Sequence, residues 1–151
     1  MLVKYLLENK SKEIVSIKSS TTIGEAIELL LNKNISSLLV MDNSRLKGII
    51  SDKDILRAVH ESKGDFKAIP VEDIMTTNLF TGKPEDDISD IAEMMTKHWI
   101  RHVPIVDNNN LVGLLSSRDI NHTLIRNQEV ENMFLQQHMD GIHMRDKSGD
   151  M

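Results

Sequence analysis

GIISDKD, Gly48 to Asp54, returns in register as GLLSSRD, Gly113 to Asp119. The subtractions 113−48, 116−51 and 119−54 all give 65. The same offset pairs Ile23 with Ile88, Glu28 with Glu93, Ile35 with Ile100, Asp42 with Asp107 and Leu46 with Leu111. No gap is needed from about Ile14 to about Ala58. Self-similarity at one fixed offset makes the chain a tandem of a single supersecondary unit.

Each copy reads as strand, helix, strand, strand, helix. In copy one, Ile14 to Ile17 is a short apolar strand, and Thr22 with Glu25 three residues on spells a capping box. Ile23, Ala26, Ile27 and Leu30 recur at helical spacing. Ser37 to Met41 is a continuous apolar run of strand length, expected to be covered on both faces. Asp42 to Arg45 has turn chemistry, and Leu46 to Ile50 is the partner strand. Copy two predicts a strand at Leu79 to Thr81 and a helix capped by Asp87. A buried strand from His102 to Val106 and its partner from Leu111 to Leu115 follow.

The rest of the chain is linkers and ends. Leu2, Leu6 and Leu7 predict a short helix packed on the body, and Val71 to Met75 is its counterpart before copy two. Beyond Asp119 the helical pattern continues through Ile120, Leu124, Val130 and Phe134, and Arg145 to Met151 read as a polar, glycine-containing disordered tail. The expected division is 1–62 for repeat 1 with the N-terminal helix, 63–126 for the linker and repeat 2, and 127–151 for the C-terminal helix and tail.

The 151 residues carry a formal charge of −5 with no marked Lys/Arg cluster, which argues against binding nucleic acid or an anionic membrane. There is no cysteine, hence no disulfide, thiolate metal site or thiol nucleophile. The apolar patch in MLVKYLLENK is too short for a signal core or a membrane span, so the expected location is the cytoplasm. Nothing announces catalysis: no serine has a motif-supported histidine, and there is no phosphate loop of P-loop spacing and no paired carboxylates. His98 and His102 are four apart, but the predicted strand takes His102 off the helix that holds His98, so no metal site is expected there. His138 and His143 read as a solvated tail, and Trp99 as a buried or dimer-interface residue.

The repeated motif carries the remaining chemistry. Its glycine allows close backbone approach, and Ser51 and Ser116 open helices whose free N–H groups favour an anion. Asp54 and Asp119 follow on the first turn, where a carboxylate can accept from the vicinal hydroxyls of a ribose. The same Ser-x-x-Asp spacing is also a helix cap that needs no ligand. Both readings stand at this level.

Together with Asp-Ile-Met-Thr at 73–76 and Ile-Arg-His-Val-Pro-Ile-Val-Asp at 100–107, the two motifs resemble a tandem pair of CBS domains, a Bateman module. The resemblance runs from about Leu2 to Leu124. It implies an α/β fold of the α+β kind, with two βαββα repeats about a pseudo-twofold axis and a C-terminal helical extension. It also implies a non-catalytic sensor that binds an adenine nucleotide (AMP, ADP, ATP or an NAD-type ligand) in clefts between the repeats. Such a module acts as a homodimer on an unidentified protein target; the alternative is a ligand-free dimerisation module. By position, one cleft would use Ser116 and Asp119, with Val15, Ile35 and Ser36 against the base and Arg101 and His102 near the phosphates. The other would use Ser51 and Asp54, with Phe80, Ile100 and His102 around the base and Ser37 nearby. Arg101, His102 and Pro104 have no counterparts of their kind in copy one, so the Asp119 cleft is expected to bind more tightly.

Overall fold

The structure, a computed structural model, describes residues 1–10 and 14–149, with side chains to residue 139. Helix α1 (Val3–Glu8) precedes copy one, which comprises β1 (Ser16–Ile17), α2 (Ile23–Lys33), β2 (Ser37–Asp42), β3 (Arg45–Ser51) and α3 (Asp52–Glu61). A 3-10 turn at Val71–Asp73 lies before copy two, which comprises α4 (Ile88–His98), β4 (His102–Asp107), β5 (Asn110–Ser116) and the long α5 (Ser117–Gly149). The fold class is the expected mixed one, with one sheet per copy and a C-terminal helix.

In copy one, β1 lies parallel to β2 with Ile17 opposite Val40, and β2 is antiparallel to β3 with Leu39 opposite Ile49. Leu38, Leu39 and Val40 are fully buried, as an unbroken apolar run demands. The hairpin turns on Asn43 (φ 51°) and Ser44 (φ 64°), and copy two repeats it with Asn108 (φ 50°) and Asn109 (φ 66°). Two successive left-handed residues match the twist of the flanking strands. Thr22 forms the expected capping box with Glu25, and Asp87 caps α4 by accepting from the Ser89 N–H at 2.9 Å.

Copy two departs from the plan at its first strand. No strand forms over Leu79–Thr81; a single parallel bridge joins Gly82 to Ile105 instead. Gly82 occupies the position that Ile17 holds in copy one. A Cβ there would stand 2.6 Å from Cδ1 of Ile91 and 2.9 Å from Cδ1 of Ile105. The neighbours fill that space, and bare glycine sustains a strand poorly.

The segments before the two copies are exchanged. Val71 donates to the Thr21 carbonyl at 2.8 Å and Ile23 to the Ile69 carbonyl at 2.8 Å, so the linker between the copies closes copy one. Val71, Ile74 and Met75 pack in its core with Ala26, Leu38, Val40 and Ile50. Val3 donates to the Asp86 carbonyl at 2.8 Å and Ile88 to the Met1 carbonyl at 3.0 Å, so the N-terminal segment closes copy two. The bridges Thr22 with Pro70 and Leu2 with Asp87 are related in the same way. The N-terminal segment thus precedes copy one in sequence and bonds to copy two.

Met1–Leu115 forms one compact unit, and the segment from Ser116 onward a second. The break between these units falls at the end of β5. Within the second unit α5 is helical to Gly149, through the stretch from Arg145 that was expected to be disordered; residues 150 and 151 lie outside the described residues. Leu124, Val130, Met133 and Phe134 are exposed along α5.

Candidate functional site

Ser51 ends β3 in extended conformation (φ −116°, ψ 166°) and caps α3. Its backbone N–H donates to Oδ2 of Asp54 at 2.9 Å and its hydroxyl donates to the same oxygen at 3.0 Å, while Asp54 N–H reaches back to Ser51 Oγ at 3.4 Å. The Asp54 carboxylate is 7% exposed. Burying a polar group is costly unless it is hydrogen-bonded, and these donors supply that.

A further donor comes from Thr76, whose hydroxyl lies 3.2 Å from Oδ1 and 3.5 Å from Oδ2 of Asp54. Thr76 is held by a two-way backbone bridge to Ile49, at 3.0 and 2.9 Å. This close approach accounts for Gly48: a Cβ there would stand 2.8 Å from the Thr76 carbonyl oxygen and 2.8 Å from the Met75 sulfur. The glycine admits protein backbone, and at Gly113 the corresponding space is taken by Leu7, 2.7 Å away. The motif signalled a close approach, and the approaching chain is the exchanged segment.

The first amides of α3 are also engaged. Asp52 N–H donates to the Ser36 carbonyl at 3.1 Å, and Lys53 N–H to the Asp52 carboxylate at 2.9 Å. The open anion site expected at this helix start is thus filled by the chain's own groups. What remains is a nearby cation. Arg101, just before β4 in copy two, places its guanidinium 2.8 Å from Oδ1 of Asp52. Both side chains are more than half exposed, at 58% and 56%. Arg101, expected to serve the Asp119 cleft, is therefore anchored two residues from Asp54.

The other expected residues divide by role. Phe80 is half-buried and stacks on His98, with centroids 3.8 Å apart and planes 16° apart. Ser37 is buried opposite Ser51, and Ile100 and His102 are half-buried where α4 gives way to β4. Val15 packs on the core of copy one, and Ile35 is exposed. Pro104 is buried in β4, where its carbonyl accepts from Gly82 at 2.9 Å. In the second unit, Ser116 N–H donates to Asp119 Oδ2 at 2.8 Å and Asp119 N–H to Ser116 Oγ at 3.1 Å, the same cap as in copy one. Trp99 was expected at a buried or interface position. It is 95% exposed, in left-handed conformation (φ 55°) at the end of α4. Thr76 and Asp52 were missed as site residues, although both stand within the quoted motifs.

The family model for the CBS domain matches residues 10–61 and 71–126. A CBS domain-containing protein, YhcV of Bacillus subtilis, is 33% identical over 114 residues, spanning 75% of this chain and 80% of that protein. A putative signal-transduction protein with CBS domains from Burkholderia ambifaria superposes with a TM-score of 0.80 at 30% identity, covering 85% of this chain and 96% of that one. The CBS domain pair of protein MJ0100, solved in complex with 5-methylthioadenosine and S-adenosyl-L-methionine, superposes with a TM-score of 0.72 at 32% identity, covering 82% and 95%.

Proposed function

The chain belongs to the CBS-domain family as a tandem pair, and from that premise we propose that it is a non-catalytic sensor of an adenosine-type ligand. The ligand class is an adenine nucleotide: AMP, ADP, ATP or an NAD-type molecule. The relative solved with two adenosine-containing ligands supports this class. The observation that carries the reading is the buried Asp54 carboxylate with Arg101 paired to Asp52 two residues before it in the chain.

Oδ2 of Asp54 already takes both Ser51 donors, whereas Oδ1 takes Thr76 alone. A carboxylate offers about four lone-pair positions, so Oδ1 is the atom that accepts from a ribose hydroxyl. Ile100, Phe80 and Ser37 border the base on this reading, with His102 at the start of β4. Arg101 meets the phosphate by leaving Asp52, because a guanidinium fork suits a phosphate as well as a carboxylate. Ligand binding then exchanges an ion pair between the copies for one to the ligand. That exchange alters the inter-copy geometry only to the extent that the ligand prefers one arrangement. Ser116 and Asp119 repeat the Ser51–Asp54 cap within the second unit and are the second candidate ligand motif.

A homodimer acting on a separate protein target completes the proposal. Leu124, Val130, Met133 and Phe134, exposed on α5, are the surface for the second copy. No helix among the described residues is long and apolar enough to cross a membrane, and the reading places the sensor in the cytoplasm.

One observation favours the alternative, a ligand-free dimerisation module: the Asp54 carboxylate and the first α3 amides are satisfied without any ligand. A thermal-shift panel of AMP, ADP, ATP, NAD and S-adenosylmethionine separates the two. A ligand at 100 times its Kd adds about 2.7 kcal/mol. A flat panel with an intact dimer supports the module and refutes the sensor.

A further inference from the structure

A groove of about 680 Å3 opens between the two copies at the hairpin end of β3. Its floor is apolar, made by Leu46, Leu79, Val106 and Leu111. Its rim carries two cations, Arg45 and Lys47, with the amides of Asn78 and Asn109 facing from the linker and from the second hairpin. Among the described residues no carboxylate lines it, in a chain whose formal charge is −5. Lys47 acts electrostatically on Asp42, and that carboxylate accepts from the Ser19 N–H at 3.1 Å.

The groove is separate from the Asp54 site. Lys47 and Ser51 stand four residues apart on β3, roughly 13 Å at ~3.3 Å per residue. Lys47 is also the extra residue of a β-bulge: Val40 faces Gly48 and Met41 faces Leu46, which leaves Lys47 without an opposite number. Bulges interrupt the ladder and re-aim a side chain. Here the bulged Lys47 lines the groove together with Arg45 and the aliphatic side chains, and a concave surface lined by one sign of charge focuses potential.

We propose that this groove is a second ligand site, distinct from the adenosine cleft, for an organic phosphate with an apolar body. Arg45 and Lys47 hold the phosphate, the two asparagine amides orient it, and the four aliphatic side chains receive the body.

The probe is phenyl phosphate, titrated into the full 15N-labelled chain and followed by NMR. It has no ribose diol to offer Asp54. Saturable shifts are expected at the amides of Lys47, Asn78 and Asn109. In the double variant R45Q/K47Q, whose spectrum reports its own fold, binding weakens about tenfold or more. D54A leaves phenyl phosphate binding unchanged even if it abolishes AMP binding, so failure of the adenosine reading is seen separately. Four results overturn the proposal: no shifts, shifts indifferent to R45Q/K47Q, shifts centred on Ser51 to Asp54, or inorganic phosphate binding as tightly as phenyl phosphate.

Discussion

The Arg101 guanidinium sits 2.8 Å from the Asp52 carboxylate, joining copy two to the first turn of α3 in copy one. If the phosphate of a nucleotide competes with Asp52 for that cation, the two residues have opposite effects on affinity. Arg101→Ala weakens AMP about tenfold and leaves adenosine nearly unchanged, whereas Asp52→Asn strengthens AMP several-fold. An exposed pair contributes about 0–1 kcal/mol, so neither variant moves the urea midpoint much. Calorimetry with AMP and adenosine reads the contrast, and equal losses for both ligands in Arg101→Ala remove Arg101 from the phosphate.

Asp54→Ala leaves the Ser51 and Thr76 donors without their acceptor in a buried place. The expected cost is about 1–3 kcal/mol in urea unfolding, independent of any nucleotide. Thr76→Val costs less, about 1 kcal/mol, and the two are not additive because they share one hydrogen bond. Simple additivity in the double variant refutes the coupling.

Gly48 and Gly113 are equivalent in sequence and unequal in structure. An added methyl at 48 meets the Thr76 carbonyl, which the Ile49 bridge fixes; at 113 it meets the end of the Leu7 side chain, which can turn away. Gly48→Ala is expected to cost about 1–3 kcal/mol, and Gly113→Ala clearly less. Equal denaturation midpoints for the pair count against this account.

Asp87 is held below the ordinary aspartate value of 3.8, first by the Ser89 N–H, then by the Ser89 hydroxyl and the N-terminal ammonium. A depressed carboxylate contributes stability that is complete above its unfolded-state pKa and is lost as pH falls through the folded-state value. Urea midpoints of the native chain should fall on acidification from about pH 5 to about pH 2, and Asp87→Asn should flatten part of that fall. An unchanged slope in Asp87→Asn removes Asp87 from the acid response.

The repeat, the capping boxes, the hairpin turns and the buried β2 run were legible because each rests on neighbours in sequence. The failures share one cause. Whether Leu79–Thr81 pairs as a strand depended on the space around Gly82, which Ile91 and Ile105 fill from elsewhere. The partner of α1 was invisible because an apolar helical stripe says that it is covered, never by which copy. The Arg101 contact with Asp52 could not be read because the chemistry of Arg101 is local while that carboxylate lies 49 residues away. Thr76 stood in a quoted motif, yet its hydroxyl acquired a role only when the bridge to Ile49 brought it to Asp54.

The crossed leading segments bear on how such a chain arose. The forerunner of one copy with its own leader, were it a separate polypeptide, would have had to lend that leader to a sister molecule and borrow one in return. Gene fusion would then have linked two already interlocked subunits. A fragment running from residue 66 to 126 would revert to that ancestral habit and assemble in twos.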